Sequence, residues 1–200
     1  ELDVRRARTG GIDQAHAIAT HLGMDFHFHA ALHVEEERYG DAILTALPAR
    51  LVKAGPLPSA GEPRGAIRVA VEVEGIELQI VNTHFGVRRS QRLKQSSILL
   101  GPGWLGDPAS RPLVLLGDFN AVPRSVPYRR FAERLQDGQL AGGRQSRPLP
   151  TFPARFPLLR IDHIFVDDSI EVVNAGVHSS RLARTASDHL PLFADLRLAS

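Results

Sequence analysis

Leu113-Val114-Leu115-Leu116 is apolar at four successive positions and runs directly into Gly117-Asp118-Phe119-Asn120. Side chains alternate along a strand, so a strand exposed on one side alternates in polarity. A short, wholly apolar run marks one that is covered on both faces. Two strands of the chain have this character, and a single exposed sheet accommodates neither. The reading that satisfies both is an α/β architecture of two sheets packed face to face with helices outside. Elsewhere Ile67, Val69, Val71 and Val73 alternate, Glu74-Gly75 turns, and Ile76, Leu78 and Ile80 alternate on the return, which predicts a β-hairpin. Asn82 and His84 share the parity of its buried face. An apolar face that turns polar at its last two positions points to a site at the strand end.

Further strands are expected over residues 26–29, 39–47, 161–166, 170–177 and 190–198, and helices over 12–22, 88–100 and 128–135. Residues 55–65, with Pro56, Pro58 and Pro63, read as a loop, as do 137–150. With 43% apolar and 23% charged residues in 200, the chain is expected to form one domain over 1–200. No apolar run approaches the ~18 residues of a spanning helix, and no basic-then-apolar leader is present. A soluble, cytoplasmic protein with no obligate protein partner is expected, or a secreted one if a signal was removed upstream. Position 1 is Glu1, and Leu2-Asp3-Val4 already reads like the end of a strand, so upstream sequence is expected to be missing.

Cysteine is absent, which excludes disulfide scaffolds, cysteine-ligated zinc and thiol nucleophiles. The only lysines, Lys53 and Lys94, lie outside any phosphate-binding G-x-x-x-x-G-K-[ST] loop. Lys+Arg 24 against Asp+Glu 22 argues slightly against a processive DNA enzyme and for a small-molecule or lipid headgroup substrate.

Four segments place an acidic or imidazole side chain at or beside a strand end: Asn82-Thr83-His84, Gly117-Asp118-Phe119-Asn120, Arg160-Ile161-Asp162-His163 and Ser187-Asp188-His189. Each alone reads as a turn former or cap. The spacing of Asp118 and Asn120 sets both on the face of Val114 and Leu116, where burial is costly unless a cation or donors satisfy them. Carboxylates and an amide without cysteine suit a hard ion, Mg²⁺ or Mn²⁺, which takes substrate phosphate oxygens and so points to phosphoryl chemistry.

In order, Glu1-Leu2-Asp3, Tyr39-Gly40-Asp41-Ala42-Ile43-Leu44, Asn82-Thr83-His84, Gly117-Asp118-Phe119-Asn120-Ala121, Arg160-Ile161-Asp162-His163-Ile164 and Ser187-Asp188-His189-Leu190-Pro191 resemble the blocks of the endonuclease/exonuclease/phosphatase superfamily. The resemblance covers residues 1–198. It implies a four-layer α/β sandwich of two mixed sheets and metal-dependent hydrolysis of a phosphoester, most simply a phosphodiester, by direct attack of water on phosphorus. Nucleic acid, a phospholipid headgroup or an inositol phosphate would serve as substrate. Glu1 resembles the metal-binding glutamate, and Asp188 the second acidic group near the metal. Asp118 is similar to the aspartate that orients or deprotonates water, and Asn120 to the residue that positions water and phosphate. His84 resembles a phosphate-contacting histidine, and Asp162 the carboxylate that pairs with the C-terminal histidine, here His189. Tyr39, Asn82 and Arg155 rank lower as substrate contacts. The family places a strand bearing an asparagine before the glutamate block, and Asp41 stands where Asn is commoner. A non-catalytic binding module on the same fold is the alternative.

Other features carry plainer readings. His16, His21, His27, His29 and His33 read as solvated or edge histidines, since no acidic partner is in register. Arg88, Arg89 and Arg92, with Arg129, Arg130 and Arg134, read as solvated helix faces before a nucleic-acid surface. Trp104 reads equally as a plug over the core or a substrate-facing ring.

Overall fold

The computed structural model describes residues 2–34, 37–107, 111–142 and 148–198. The chain divides into two compact units, Glu1–Ser110 and Arg111–Ser200.

The first unit opens with β1 (Leu2–Val4), then α1 (Gln14–Leu22), β2 (Asp25–Val34), β3 (Glu37–Thr45), β4 (Ala49–Leu57), β5 (Arg64–Val73), β6 (Ile76–His84) and α2 (Arg89–Leu99). Strands β1, β3 and β2 form an antiparallel sheet in that order. Strands β4, β5 and β6 pair antiparallel as successive neighbours. The two sheets face one another across a core of Ile43 from β3 and Ile67, Val69 and Val71 from β5. The other face of β5 is buried too, with Ala66, Arg68 and Ala70 covered, so this strand is enclosed on both sides. Arg68 survives burial there by donating to Gln79 Oε1 at 2.8 Å and to the Trp104 carbonyl at 3.0 Å. Trp104 is itself 4% exposed, which resolves it as a plug.

The β5–β6 hairpin turns at Glu74 and Gly75, both at positive φ, the backbone of a tight two-residue connection. Helix α1 starts where the Asp13 carboxylate accepts from the His16 amide, and ends at Gly23 in the left-handed region. Strand β4 is a correction to the sequence reading, which had a loop from residue 55. The strand runs through Gly55 and Pro56 to Leu57, and β5 already begins at Arg64. As an edge strand of this group with a bulge between Leu51 and Lys53, β4 tolerates a proline that a central strand would reject.

The second unit contains β7 (Leu113–Asp118), α3 (Val126–Ala132), β8 (Gln136–Asp137), α4 (Gly138–Ala141), β9 (Asp162–Val166), β10 (Ile170–Val177), α5 (Ala183–Ala186) and β11 (Leu192–Leu198). Strand β9 lies between β7 and β8, antiparallel to both. Strands β10 and β11 form a separate antiparallel pair. Along β9 the side chains divide by parity. His163 and Phe165 enter an aromatic cluster with Phe119, Tyr128 and Phe131, whose ring centroids lie 4.9–5.9 Å apart. Asp162 points to the opposite face. Part of the loop expected over 137–150 is helical instead, as α4 is capped by Asp137 accepting from the Gln139 amide.

Candidate active site

In the second unit, Asp118 ends β7 and pairs directly with Asp162, the first residue of β9, so the antiparallel ladder sets two carboxylates side by side. The strand breaks immediately afterwards. Asn120 takes φ 47°, a left-handed conformation that asparagine tolerates better than most residues, and its amide N–H donates to Asp118 Oδ1 at 2.7 Å. The Asn120 side chain reaches Asp118 Oδ2 at 3.3 Å. Asn120 therefore orients the Asp118 carboxylate through both oxygens.

His189 joins them from the segment after α5. That segment is held by Leu190 N–H donating to the Thr151 carbonyl, Ala154 N–H donating to the Asp188 carbonyl, and the buried cluster of Ala154, Ala183 and Leu190. The imidazole Nδ1 lies 2.8 Å from Asp162 Oδ2, and Nε2 lies 3.9 Å from Asp118 Oδ2. Thr151, fully buried, donates its hydroxyl to the same Asp162 oxygen, and the Phe152 ring packs 4.8 Å from the His189 ring. Partial burial of His189 opposes its charged form. The hydrogen bond and charge of Asp162, with the charges of Asp118 and Asp188, outweigh that and raise its pKa above the usual imidazole value. The arrangement is a carboxylate-held imidazole whose far nitrogen faces a second carboxylate. A gap of 3.9 Å between Nε2 and Oδ2 is one that a single oxygen atom, hydrogen-bonded to both, can span.

Asp118, Asp162 and His189 also present one ligand atom each within 4.8 Å of one another. Two carboxylates and an imidazole are a donor set that fits a hard divalent ion, in keeping with a chain that has no cysteine. Asp188 is exposed, and its carboxylate acts on this group as a nearby charge. Glu1 lies outside the described residues.

The first unit gathers a second set. His84, ending β6, Tyr39 of β3 and Arg64 of β5 are all buried. Arg64 donates to the Tyr39 hydroxyl at 2.9 Å, and both stand 3.4 Å from His84 Nδ1. A guanidinium can only donate, so Nδ1 is the acceptor, and the neutral ring carries its proton on Nε2. Glu62 pairs with Arg64 at 3.0 Å. Arg6 lies 5.6 Å from the Tyr39 ring centroid and 3.7 Å from the carboxylate of Asp3, the strand partner of Tyr39. Gly40 is required beside Tyr39, because a Cβ there would sit 1.9 Å from the His29 carbonyl oxygen.

Of the residues singled out in the sequence, Asp118, Asn120, Asp162 and His189 are brought together, and so, within their own unit, are Tyr39 and His84. Asn82 instead donates to the Ala42 carbonyl at 3.0 Å and ties β6 to β3. Arg155 is exposed, and its carbonyl accepts from Arg184. Arg64 and Thr151 are additions. Arg64 was hidden by its place in an expected loop, while Thr151 opens the Thr-Phe-Pro-Ala-Arg segment that carries Arg155.

A profile of the endonuclease/exonuclease/phosphatase family matches residues 4–189. The protein YbhP of Escherichia coli K12 is 27% identical over 185 residues, covering 90% of this chain and 72% of YbhP. The mannosyl-6-phosphatase Bt3783 of Bacteroides thetaiotaomicron superposes with a TM-score of 0.74 at 23% identity, over 92% of this chain and 81% of its own. ANGEL2, a 2′,3′-cyclic phosphatase, gives 0.71 at 15% identity, over 98% and 80%. The chain shares the α/β sandwich fold of these structures.

Proposed function

The chain belongs to the endonuclease/exonuclease/phosphatase family, whose members act on phosphoesters, and we propose that it is a divalent-metal-dependent phosphodiesterase in which water attacks phosphorus directly. The observation that carries this reading is the Asp162–His189 pair, whose far nitrogen stands 3.9 Å from Asp118 Oδ2, so that a proton donor and a proton acceptor lie side by side. A Mg²⁺ or Mn²⁺ ion, held by the Asp118 carboxylate with Asp188 as the second acidic group, would supply a Lewis acid that withdraws charge from the phosphoryl oxygens. Asp118, oriented by Asn120, aligns the attacking water and accepts its proton at Oδ2 as the new P–O bond forms and one ester P–O bond breaks, the leaving alkoxide taking its proton from solvent. His189, kept protonated by Asp162, offers Nε2–H to the phosphoryl oxygen on which charge develops. Within the first unit His84, with its Nδ1 occupied by Tyr39 and Arg64, keeps Nε2–H as a donor of the kind a phosphate oxygen accepts. Nucleic acid, phospholipid headgroup and inositol phosphate all present the required group.

Asp118→Ala and His189→Ala are each expected to lower turnover of bis-p-nitrophenyl phosphate by about 100-fold or more while the circular dichroism spectrum is unchanged. EDTA should abolish wild-type turnover, and Mg²⁺ should restore it. Retained turnover in both variants rejects the assignment. A folded wild-type protein without turnover or EDTA effect would instead be a binding module.

A further inference from the structure

Resting on the reading of Asp118 and Asn120 as reacting groups, we propose that His163 is the positioning residue for both, acting through the backbone of Ala121. His163 follows Asp162 on β9 and so faces the aromatic cluster rather than the site. Its side chain is fully buried, and its Nε2 lies 2.7 Å from the carbonyl oxygen of Ala121. A carbonyl only accepts, so Nε2 carries the proton.

The other ring nitrogen is unsatisfied. Nδ1 has no hydrogen-bond partner and stands 3.7 Å from Asp137 Oδ2, whose carboxylate is already held by Arg160, Tyr128 and the Gln139 amide. An orphaned nitrogen in an aromatic core is a cost that phenylalanine would not carry, since its ring would pack equally well against Phe119, Tyr128 and Phe165. What imidazole adds is the bond to Ala121.

That bond closes the turn bearing the chemistry. Gly117 at φ 139° and Asn120 at φ 47° bracket Asp118 and Phe119, and a left-handed non-glycine residue persists only where its surroundings fix it. On one side the Phe119 amide donates to the Ile161 carbonyl and the Phe119 ring enters the cluster. On the other, His163 fixes Ala121. Asn120 is clamped between the two anchors, and through it the Asp118 carboxylate.

The test crosses the two properties of the ring. His163→Phe keeps the packing and loses the donor, whereas His163→Gln keeps an N–H near the Nε2 position and loses the ring. Turnover of bis-p-nitrophenyl phosphate with Mg²⁺ is measured alongside hydrogen exchange of the peptide over residues 117–122 without substrate. His163→Phe should lower kcat by about ten- to a hundred-fold, with KM within about two-fold, and speed exchange in the peptide. His163→Gln should recover most of both despite a lower melting temperature. Activity and exchange that follow packing, with Phe like wild type and Gln impaired, overturn the proposal. Should the wild type show no turnover, the functional reading fails and exchange decides alone: unchanged protection in His163→Phe overturns the positioning role, and faster exchange supports it.

Discussion

At the level of single residues, the Asp162–His189 pair works by charge. The pKa of His189 is raised because Asp162 binds its Nδ1, with Asp118 and Asp188 adding to the effect. Asp162→Asn removes the leading cause of that rise, so His189 titrates at lower pH. A group that must be protonated for turnover is lost as pH rises through its pKa, so the alkaline limb of the kcat/KM profile should move to lower pH in Asp162→Asn. An unmoved limb would separate His189 from the titration that governs rate. Asp118 was legible because it ends an apolar strand on the face of Val114 and Leu116, whereas Asp162, Asp188 and His189 stood out by their place in the ordered blocks. Thr151 was not legible, since a lone threonine in a loop carries no period and its bond to Asp162 depends on a partner 11 residues away.

Among the secondary-structure elements, the buried group on β8, α3 and β9 is the support beneath the site. Tyr128 donates to Asp137 Oδ2 at 2.8 Å, Arg160 grips both Asp137 oxygens, and Arg160 lies two residues before Asp162. Burial, aided by the hydrogen bond and charge of Asp137, pushes the Tyr128 hydroxyl up to about 12. The unfolded chain loses this proton near pH 10 and the folded one keeps it, so stability falls as pH rises from about 10 towards 12. Tyr128→Phe should flatten that part of the denaturant-midpoint profile against wild type. Near neutral pH it should cost about 1–2 kcal/mol, because Asp137 loses a donor. A profile as steep as wild type would remove Tyr128 from the account. The aromatic members of this group are scattered from Phe119 to Phe165, and only pairing in space reveals them. Helix α2, Arg89–Leu99, matches the helix expected over 88–100, but the make-up of its buried face was not legible. Its buried face carries Gln91, Gln95 and Ser96, with Gln95 donating to the Pro58 carbonyl and accepting from the Gly86 amide. A hydrophobic period cannot report a face built from amides.

For the molecule as a whole, the fold class was legible in strands apolar on both faces and in the order of the blocks, since order along the chain limits how strands connect. Substrate identity was illegible, as specificity lies in loop shape. Among the described residues no helix is long and apolar enough to cross a membrane. An ion that binds only the native state stabilises it by about 2.7 kcal/mol at a hundred times its dissociation constant. Saturating Mg²⁺ should therefore raise the melting temperature of the full chain by several degrees, and Asp118→Asn should abolish most of that rise. Equal shifts in both would place the ion elsewhere.

The rung shared by Asp118 and Asp162 ties reactivity to alignment. Inserting one amino acid within Leu113–Asp118 would rotate every later side chain of that strand by half a turn, drive a carboxylate among phenylalanine rings and empty the opposite side of its acid. Such a protein would fail to fold before its catalysis could be assayed, so this stretch should tolerate substitutions far better than changes of length.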